Sequence, residues 1–349
     1  MSHSSAWCSA LAAVTLALAV LGGCSAAGGV PSQDGASQTA EQPPAVPSKS
    51  PGVEPPAVQT PASPAPTAPA APATGTVPAP TPAPVTAPAK QPSAPAATGK
   101  LPTPDHIVIV IEENHSYEQI VGNPKAPYFN ELIKEGALMT KSYAVAHPSQ
   151  PNYLALFSGS TQGMTSDKCG ETYASANLAT ELLDKKLSFA GYSEDMPKAG
   201  YTGCSSRGYA RKHNPWVQFT NVPAELNQPL TSFPKNFSQL PAVSFVIPNH
   251  QDDMHDGTVE QADKWLKDNL GAYVDWAASH NSLLLVTWDE DDNSRNNHIP
   301  TFFVGPMVKP GQYDTTVNHY SVLRTIEEMY GLKPLGNSES QQPITSIWR

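Results

Sequence analysis

Residues 106–116 read HIVIVIEENHS, an Ile/Val run broken abruptly by two carboxylates, an amide, an imidazole and a hydroxyl. A β-branched run with no polar alternation suits a strand covered on both faces, as in a parallel sheet flanked by helices. Such a strand would deliver Glu113 and Asn114 at its carboxyl end.

The neighbouring segments follow the same logic. PYFNELIKEG (127–136) carries Phe129, Leu132 and Ile133 at helical spacing and stops at Gly136. MTKSYAV (139–145) is strand-like, and HPSQPNYLALFSG (147–159) predicts a helix with Pro151 in its first turn and Gly159 at its exit. NLATELLDKK (177–186) is helical and LSFAGYS (187–193) strand-like. VSFVI (243–247), SLLLVTW (282–288) and TFFVG (301–305) read as further buried strands, separated and followed by the helical VEQADKWLKDNLGAYVDWAAS (259–279) and SVLRTIEEMYG (321–331). Strands alternating with helices predict an α/β sandwich with a mainly parallel sheet, whose ligands sit outside the carboxyl ends of the strands. Polar clusters fall at three of those ends: EENHS (112–116), PNHQDDMHDG (248–257) and DEDDN (289–293).

Residues 1–23 contain no Asp, Glu, Lys or Arg and hold an apolar run from Ala10 to Leu21. That run is shorter than the ~20 residues a bilayer span needs and reads as an export signal. Leu21-Gly22-Gly23-Cys24 looks like a lipobox, which predicts diacylation of Cys24 and anchorage to the outer face of the cell membrane, or secretion. Nineteen of the 37 prolines precede residue 101, so residues 24–100 are expected to form a disordered Pro/Ala-rich tether of polyproline II character, and 101–349 one domain, expected to be monomeric. Once Cys8 leaves with the signal and Cys24 takes lipid, Cys169 and Cys204 remain. In an oxidising compartment such a pair is expected to form a disulfide, worth about 3–4 kcal/mol on the loop-entropy model. A net charge of −10 without a basic cluster excludes a nucleic-acid binder.

Glu113, Asn114, Asp289 and Glu290 form an oxygen-rich set suited to Ca, Mg or Mn rather than Zn; the competing reading of DEDDN is a solvated acidic turn. Ser149 precedes Pro151 at a helix start, where N–H groups and the helix dipole favour phosphate; it could be a nucleophile or a plain N-cap. His250 and His255 stand among Asp252, Asp253 and Asp256 and could supply a general acid or metal ligands. His147, His213 and His298 lie in polar loops, where structural hydrogen bonding is the default. Arg211 and Lys212 could clamp phosphate or simply face solvent.

The blocks IVIEENHS, HPSQPNYLALFSG, YARKHNPW, VSFVIPN with DMHDG, LLLVTWDEDD and HYSVLRTIEEMYGL with PITSIW run in order through 101–349. Together they resemble the bacterial phosphoesterase family that includes secreted acid phosphatases and phospholipases C and is related in fold to alkaline phosphatase. The resemblance implies a three-layer, alkaline-phosphatase-like sandwich and one strongly bound divalent metal on Glu113, Asn114, Asp289 and Glu290. Glu290 is the least secure ligand, because relatives can carry Asp there. Ser149 becomes the implied nucleophile and His255 the implied acid or base, with His250 and His213 as further catalytic candidates. The implied activity is acid hydrolysis of phosphate monoesters, phosphoinositides among them, with a phospholipase C or other phosphodiesterase as the alternative. A non-catalytic surface-binding lipoprotein is the reading from a different class.

Overall fold

The computed structural model describes residues 100–349. The export signal, Cys24 and the tether up to residue 99 lie outside the described residues. From β1 (His106–Glu112) the chain passes through α1 (Tyr117–Ile120) and α2 (Pro127–Glu135) to β2 (Ala137–Tyr143), then α3 (Ser149–Ser158) and α4 (Leu178–Asp184). Strand β3 (Phe189–Ser193) precedes a small hairpin, β4 (Ser205–Ser206) and β5 (Tyr209–Ala210), and the short β6 (Asn227–Pro229). The remainder is β7 (Val243–Ile247), α5 (Val259–Ala277), β8 (Ser282–Trp288), β9 (Thr301–Val304), β10 (Gly311–Asn318) and α6 (His319–Tyr330).

Eight strands form one sheet in the order β10-β2-β9-β8-β1-β7-β3-β6. All neighbours are parallel except β9, which runs antiparallel to both β2 and β8. The Ile/Val run of β1 lies between β7 and β8, with Ile107 opposite both Val243 and Leu283. Its side chains alternate between two cores. Ile107, Ile109 and Ile111 join the cluster containing Leu154 and Phe157 of α3, Leu182 of α4 and Leu323 and Ile326 of α6. Val108 and Val110 join the opposite cluster, with Phe129 and Leu132 of α2 and Leu266, Leu270 and Tyr273 of α5. Helices therefore cover both faces, and the fold is a three-layer α/β sandwich with a mainly parallel sheet. Each of these five side chains is at most 1% exposed, worth about 1.5–3 kcal/mol per residue relative to exposure.

Some local features differ from the sequence reading. The TFFV segment is an antiparallel strand, and the polar GQYDTTVN segment forms the exposed edge strand β10. Helix α3 is buried along its whole length, and Ser149 is its first residue, with Pro148 in the N-cap position. The helix closes at Gly159, whose φ of 68° lies in the left-handed region that costs a side-chain-bearing residue energy. The expected disulfide is present: Cys169 and Cys204 are bonded, with their Cα atoms 5.8 Å apart. No described helix is long and apolar enough to cross a membrane.

Candidate active site

The parallel strands β1, β7 and β8 end at the same edge of the sheet, and backbone hydrogen bonds stitch the residues that follow them. Glu113 N–H donates to the Asp253 carbonyl at 2.8 Å, and Asp289 N–H donates to the Glu112 carbonyl at 2.9 Å. Asn114 turns the chain out of the sheet at φ 53°, a conformation asparagine tolerates better than most residues. Its N–H then donates to Asp289 Oδ1 at 3.2 Å and its side-chain amide to Glu113 Oε2 at 3.1 Å. The turn thus brings together acids that lie 176 residues apart in the chain, Glu113 and Asp289.

Ser149 enters this cluster from α3. Its hydroxyl lies 3.2 Å from Glu113 Oε2 and 3.3 Å from Glu290 Oε1. It is therefore engaged with two carboxylates rather than capping its own helix. Glu290 Oε2 accepts from His147 Nδ1 at 2.7 Å, while His147 Nε2 stands 3.3 Å from Asp291 Oδ1. Burial raises the Glu290 carboxyl to about 8, with the charges of Glu113 and Asp167 adding to it. Burial also pushes Asp289 well above the usual carboxylate range, reinforced by Glu113 and Glu290.

Behind Ser149, His213 is held between two buried acids, with Nε2 3.0 Å from Glu113 Oε1 and Nδ1 3.4 Å from Asp253 Oδ2. The contacts are close but off ideal hydrogen-bond angles, since neither His213 Nε2 nor Asp253 Oδ2 has a well-aligned partner. Burial opposes charge on the imidazole, yet Glu113 and Asp253 outweigh it and raise His213 to about 9. Burial likewise opposes charge on Glu113, but His213, Tyr153 and Lys212 together hold its carboxyl low. Tyr153, one turn beyond Ser149 on α3, donates its hydroxyl to Glu113 Oε1 at 2.6 Å and stacks on the His213 ring. His319 at the start of α6 donates to the Asp289 carbonyl at 2.7 Å.

Lys212 Nζ donates to Asp167 Oδ2 at 2.8 Å and to His255 Nε2 at 3.3 Å, and His255 Nδ1 donates to Asp256 Oδ1 at 2.8 Å. The His250 and His255 rings stack at 4.4 Å. Burial, with the charges of His213 and His255, lowers His250 to about 4. Arg211, adjacent to Lys212, points elsewhere: its guanidinium donates to the carbonyls of Thr202 and Val217. His298 packs between Tyr117 and Tyr143 and reaches the Thr140 carbonyl, consistent with a structural role.

The donor chemistry distinguishes three groupings that could attract a cation. His250, His255 and Asp256 bring ligand atoms within 4.8 Å of one another, but the Lys212 ammonium already occupies His255 Nε2. Glu113, His213 and Asp253 do the same, but there His213 itself supplies positive charge between the two acids. Around Ser149 the balance differs. The charges of Glu113 and Glu290 act on Asp289, and Asp289 Oδ2 is buried without a partner. An all-oxygen set with an orphaned carboxylate oxygen suits a hard divalent cation, and Asn114 can add its amide oxygen. The candidate ligands therefore fit such an ion.

Sequence reasoning passed over several of these residues. Tyr153 lies four positions after Ser149 and shares its helix face, a signal that was available. In the sequence Asp253 is one acid among several around His250 and His255, and His147 is one histidine of a polar loop. Asp167, in an irregular loop, carried no sequence signal.

Residues 123–333 match the Phosphoesterase family. The chain is 51% identical to the phosphatidylinositol-3-phosphatase of Mycobacterium tuberculosis over 74% of its own length and 87% of that protein's. It is 33% identical to a phosphate-repressible acid phosphatase of Penicillium chrysogenum, over 66% of this chain and 60% of that one. An acid phosphatase of Aspergillus fumigatus is 32% identical over 67% of this chain and 57% of its own. The chain thus spans little more than half of each of these two fungal relatives. Among solved structures it resembles a protein in the alkaline phosphatase superfamily from Vibrio parahaemolyticus, with a TM-score of 0.49, 15% identity and 72% of each chain covered. On the extent of the family match and the identity to its mycobacterial relative, the chain belongs to the phosphoesterase family.

Proposed function

We propose that this protein is an acid phosphatase that hydrolyses phosphate monoesters, phosphoinositides among its candidate substrates, through attack of Ser149 on phosphorus. The observation that carries this reading is the Ser149 hydroxyl lying 3.2–3.3 Å from the carboxylates of Glu113 and Glu290 at the first turn of α3. There the positive end of the α3 dipole favours an anion. The names of the mycobacterial and fungal relatives support the substrate class. Glu113, Asn114, Asp289 and Glu290 would hold a divalent cation, which when bound supplies neutralising charge at the phosphoryl group.

The remaining roles belong to side chains. Ser149 donates its proton toward the flanking carboxylates as it attacks. Tyr153 and His213 fix Glu113 from behind, so that the acid is oriented before substrate arrives. Lys212 offers an ammonium to a non-bridging phosphate oxygen. The Lys212–His255 pair, oriented by Asp256, gives a proton to the leaving alcohol; water then attacks the phosphoserine, yielding its proton to that pair, while Ser149 leaves with the proton held by the carboxylate and free phosphate is released. Phosphoryl transfer asks mainly for positioning and charge stabilisation, and these groups supply both. His250 is adjacent to this pair as a neutral neighbour. Arg211 takes no part, because both terminal nitrogens of its guanidinium are turned to backbone carbonyls.

The sequence reading also assigns residues 1–23 to export, Cys24 to a lipid anchor and 24–100 to a tether that holds the 101–349 domain off the membrane. The Cys169–Cys204 bond agrees with an oxidising compartment. The test of the enzymatic reading is phosphate release from p-nitrophenyl phosphate between pH 4 and 8 with several divalent metals supplied. No release under any of these conditions defeats it. A faster rate on the diester analogue than on the monoester redirects it to phosphodiester cleavage.

A further inference from the structure

We propose that Asp167 is the positioning residue that locks Lys212 to the first turn of the Ser149 helix, a claim that rests on the phosphate site read above. One carboxylate joins two elements. Asp167 Oδ1 accepts from Gln150 N–H at 2.9 Å, immediately after Ser149, and Oδ2 accepts from Lys212 Nζ at 2.8 Å. Lys212 in turn reaches His255 at 3.3 Å. Asp167 therefore fixes the distance between the helix that carries the nucleophile and the cation that meets the phosphate.

The segments bearing the two partners are fixed as well. Asp167 lies two residues before Cys169, in an irregular loop between α3 and α4. Lys212 follows the β4–β5 hairpin, which begins next to Cys204, and Arg211 N–H donates to the Cys204 carbonyl at 3.0 Å. The Cys169–Cys204 bond joins these two stretches covalently, next to the ion pair. Both side chains are only partly exposed, 17% for Lys212 and 29% for Asp167, so the pair is better protected from solvent screening than a surface ion pair.

Positioning and plain electrostatics predict opposite effects of removing Asp167. A carboxylate that merely stood near a phosphate site would repel the anion, and removing it would tighten binding. A positioning carboxylate predicts the opposite. The experiment is calorimetric titration of the full chain with inorganic phosphate, which reads the site whether or not an ester is turned over. It is combined with KM and kcat on p-nitrophenyl phosphate and a thermal melt. Asp167→Asn keeps an acceptor for Gln150 but loses the charge. It is expected to weaken phosphate binding and raise KM about tenfold, the scale of one charge-assisted hydrogen bond, with kcat changed less and the melt little altered. Asp167→Glu should recover part of the loss, and in a Lys212→Ala background Asp167→Asn should cost less than about twofold more. Tighter phosphate binding by Asp167→Asn, full additivity with Lys212→Ala, or a wild-type protein that binds no phosphate would overturn the proposal. Phosphate binding by a wild type that releases none from esters would instead defeat the hydrolase reading and leave the clamp to be judged on its own.

Discussion

Replacing Asp289 with asparagine should stabilise the metal-free protein and destabilise it relative to wild type once metal is added. Asp289 is 1% exposed, and its Oδ2 has no hydrogen-bond partner. Its carboxyl is pushed up by burial and by Glu113 and Glu290. Asparagine keeps an oxygen to accept from Asn114 N–H and removes one of three acids whose charges act on one another. Two unit charges about 6 Å apart at an effective dielectric of about 20 repel by about 3 kcal/mol, and protonation already relieves part of this. A net gain of about 1–3 kcal/mol in chelator is expected, or about 2–10 °C in Tm for a domain of this size. With a divalent ion at about 1,000 times its Kd, wild type should gain about 4.1 kcal/mol, which the variant forfeits. The two melting curves should therefore exchange order between EDTA and saturating metal, measured by calorimetry or circular dichroism. A variant that melts below wild type in EDTA and shows the same metal-induced shift would refute the assignment of Asp289 as a ligand.

Two further perturbations bear on the site and the fold. Tyr153→Phe deletes the 2.6 Å bond to Glu113 Oε1, and kcat/KM on p-nitrophenyl phosphate should fall about 10- to 100-fold, the range for one buried bond to a charged group; an unchanged value would remove Tyr153 from the mechanism. Burial raises Glu194 to about 7 against an ordinary value of 4.5, so its contribution to stability is full below about pH 4.5 and is lost as pH rises through 7. Glu194→Gln should therefore raise Tm at pH 8 more than at pH 5 in paired melts, and an equal shift at both would contradict this linkage.

The sheet's centre was legible in the sequence because β1, β7 and β8 are buried on both faces and must be apolar throughout. The same physics made their carboxyl ends visible, since Glu113, Asn114 and Asp289 follow those runs without an intervening loop. The edge was not legible: Asp314, Thr315 and Thr316 of β10 face solvent, and a polar edge strand looks like a loop. Direction was also hidden for β9, because an apolar TFFV fits either orientation and only the pairing with β2 and β8 decides it. Arg211 and Lys212 could not be separated by type. A single 3-10 turn sends Arg211 to backbone carbonyls and Lys212 toward His255. Ser149 was found through its helix start, but its engagement with Glu113 and Glu290 is a tertiary fact. Asp167 shows the limit most clearly, for its role depends on a loop held by a disulfide and not on any local pattern.

Rapid acid quench of the protein turning over a phosphate monoester, followed by mass spectrometry of its peptides, tests the central claim most directly. The account predicts phosphate on Ser149 in wild type and none in Ser149→Ala. Phosphate trapped on His213 or His255, or undiminished turnover by Ser149→Ala, would contradict it.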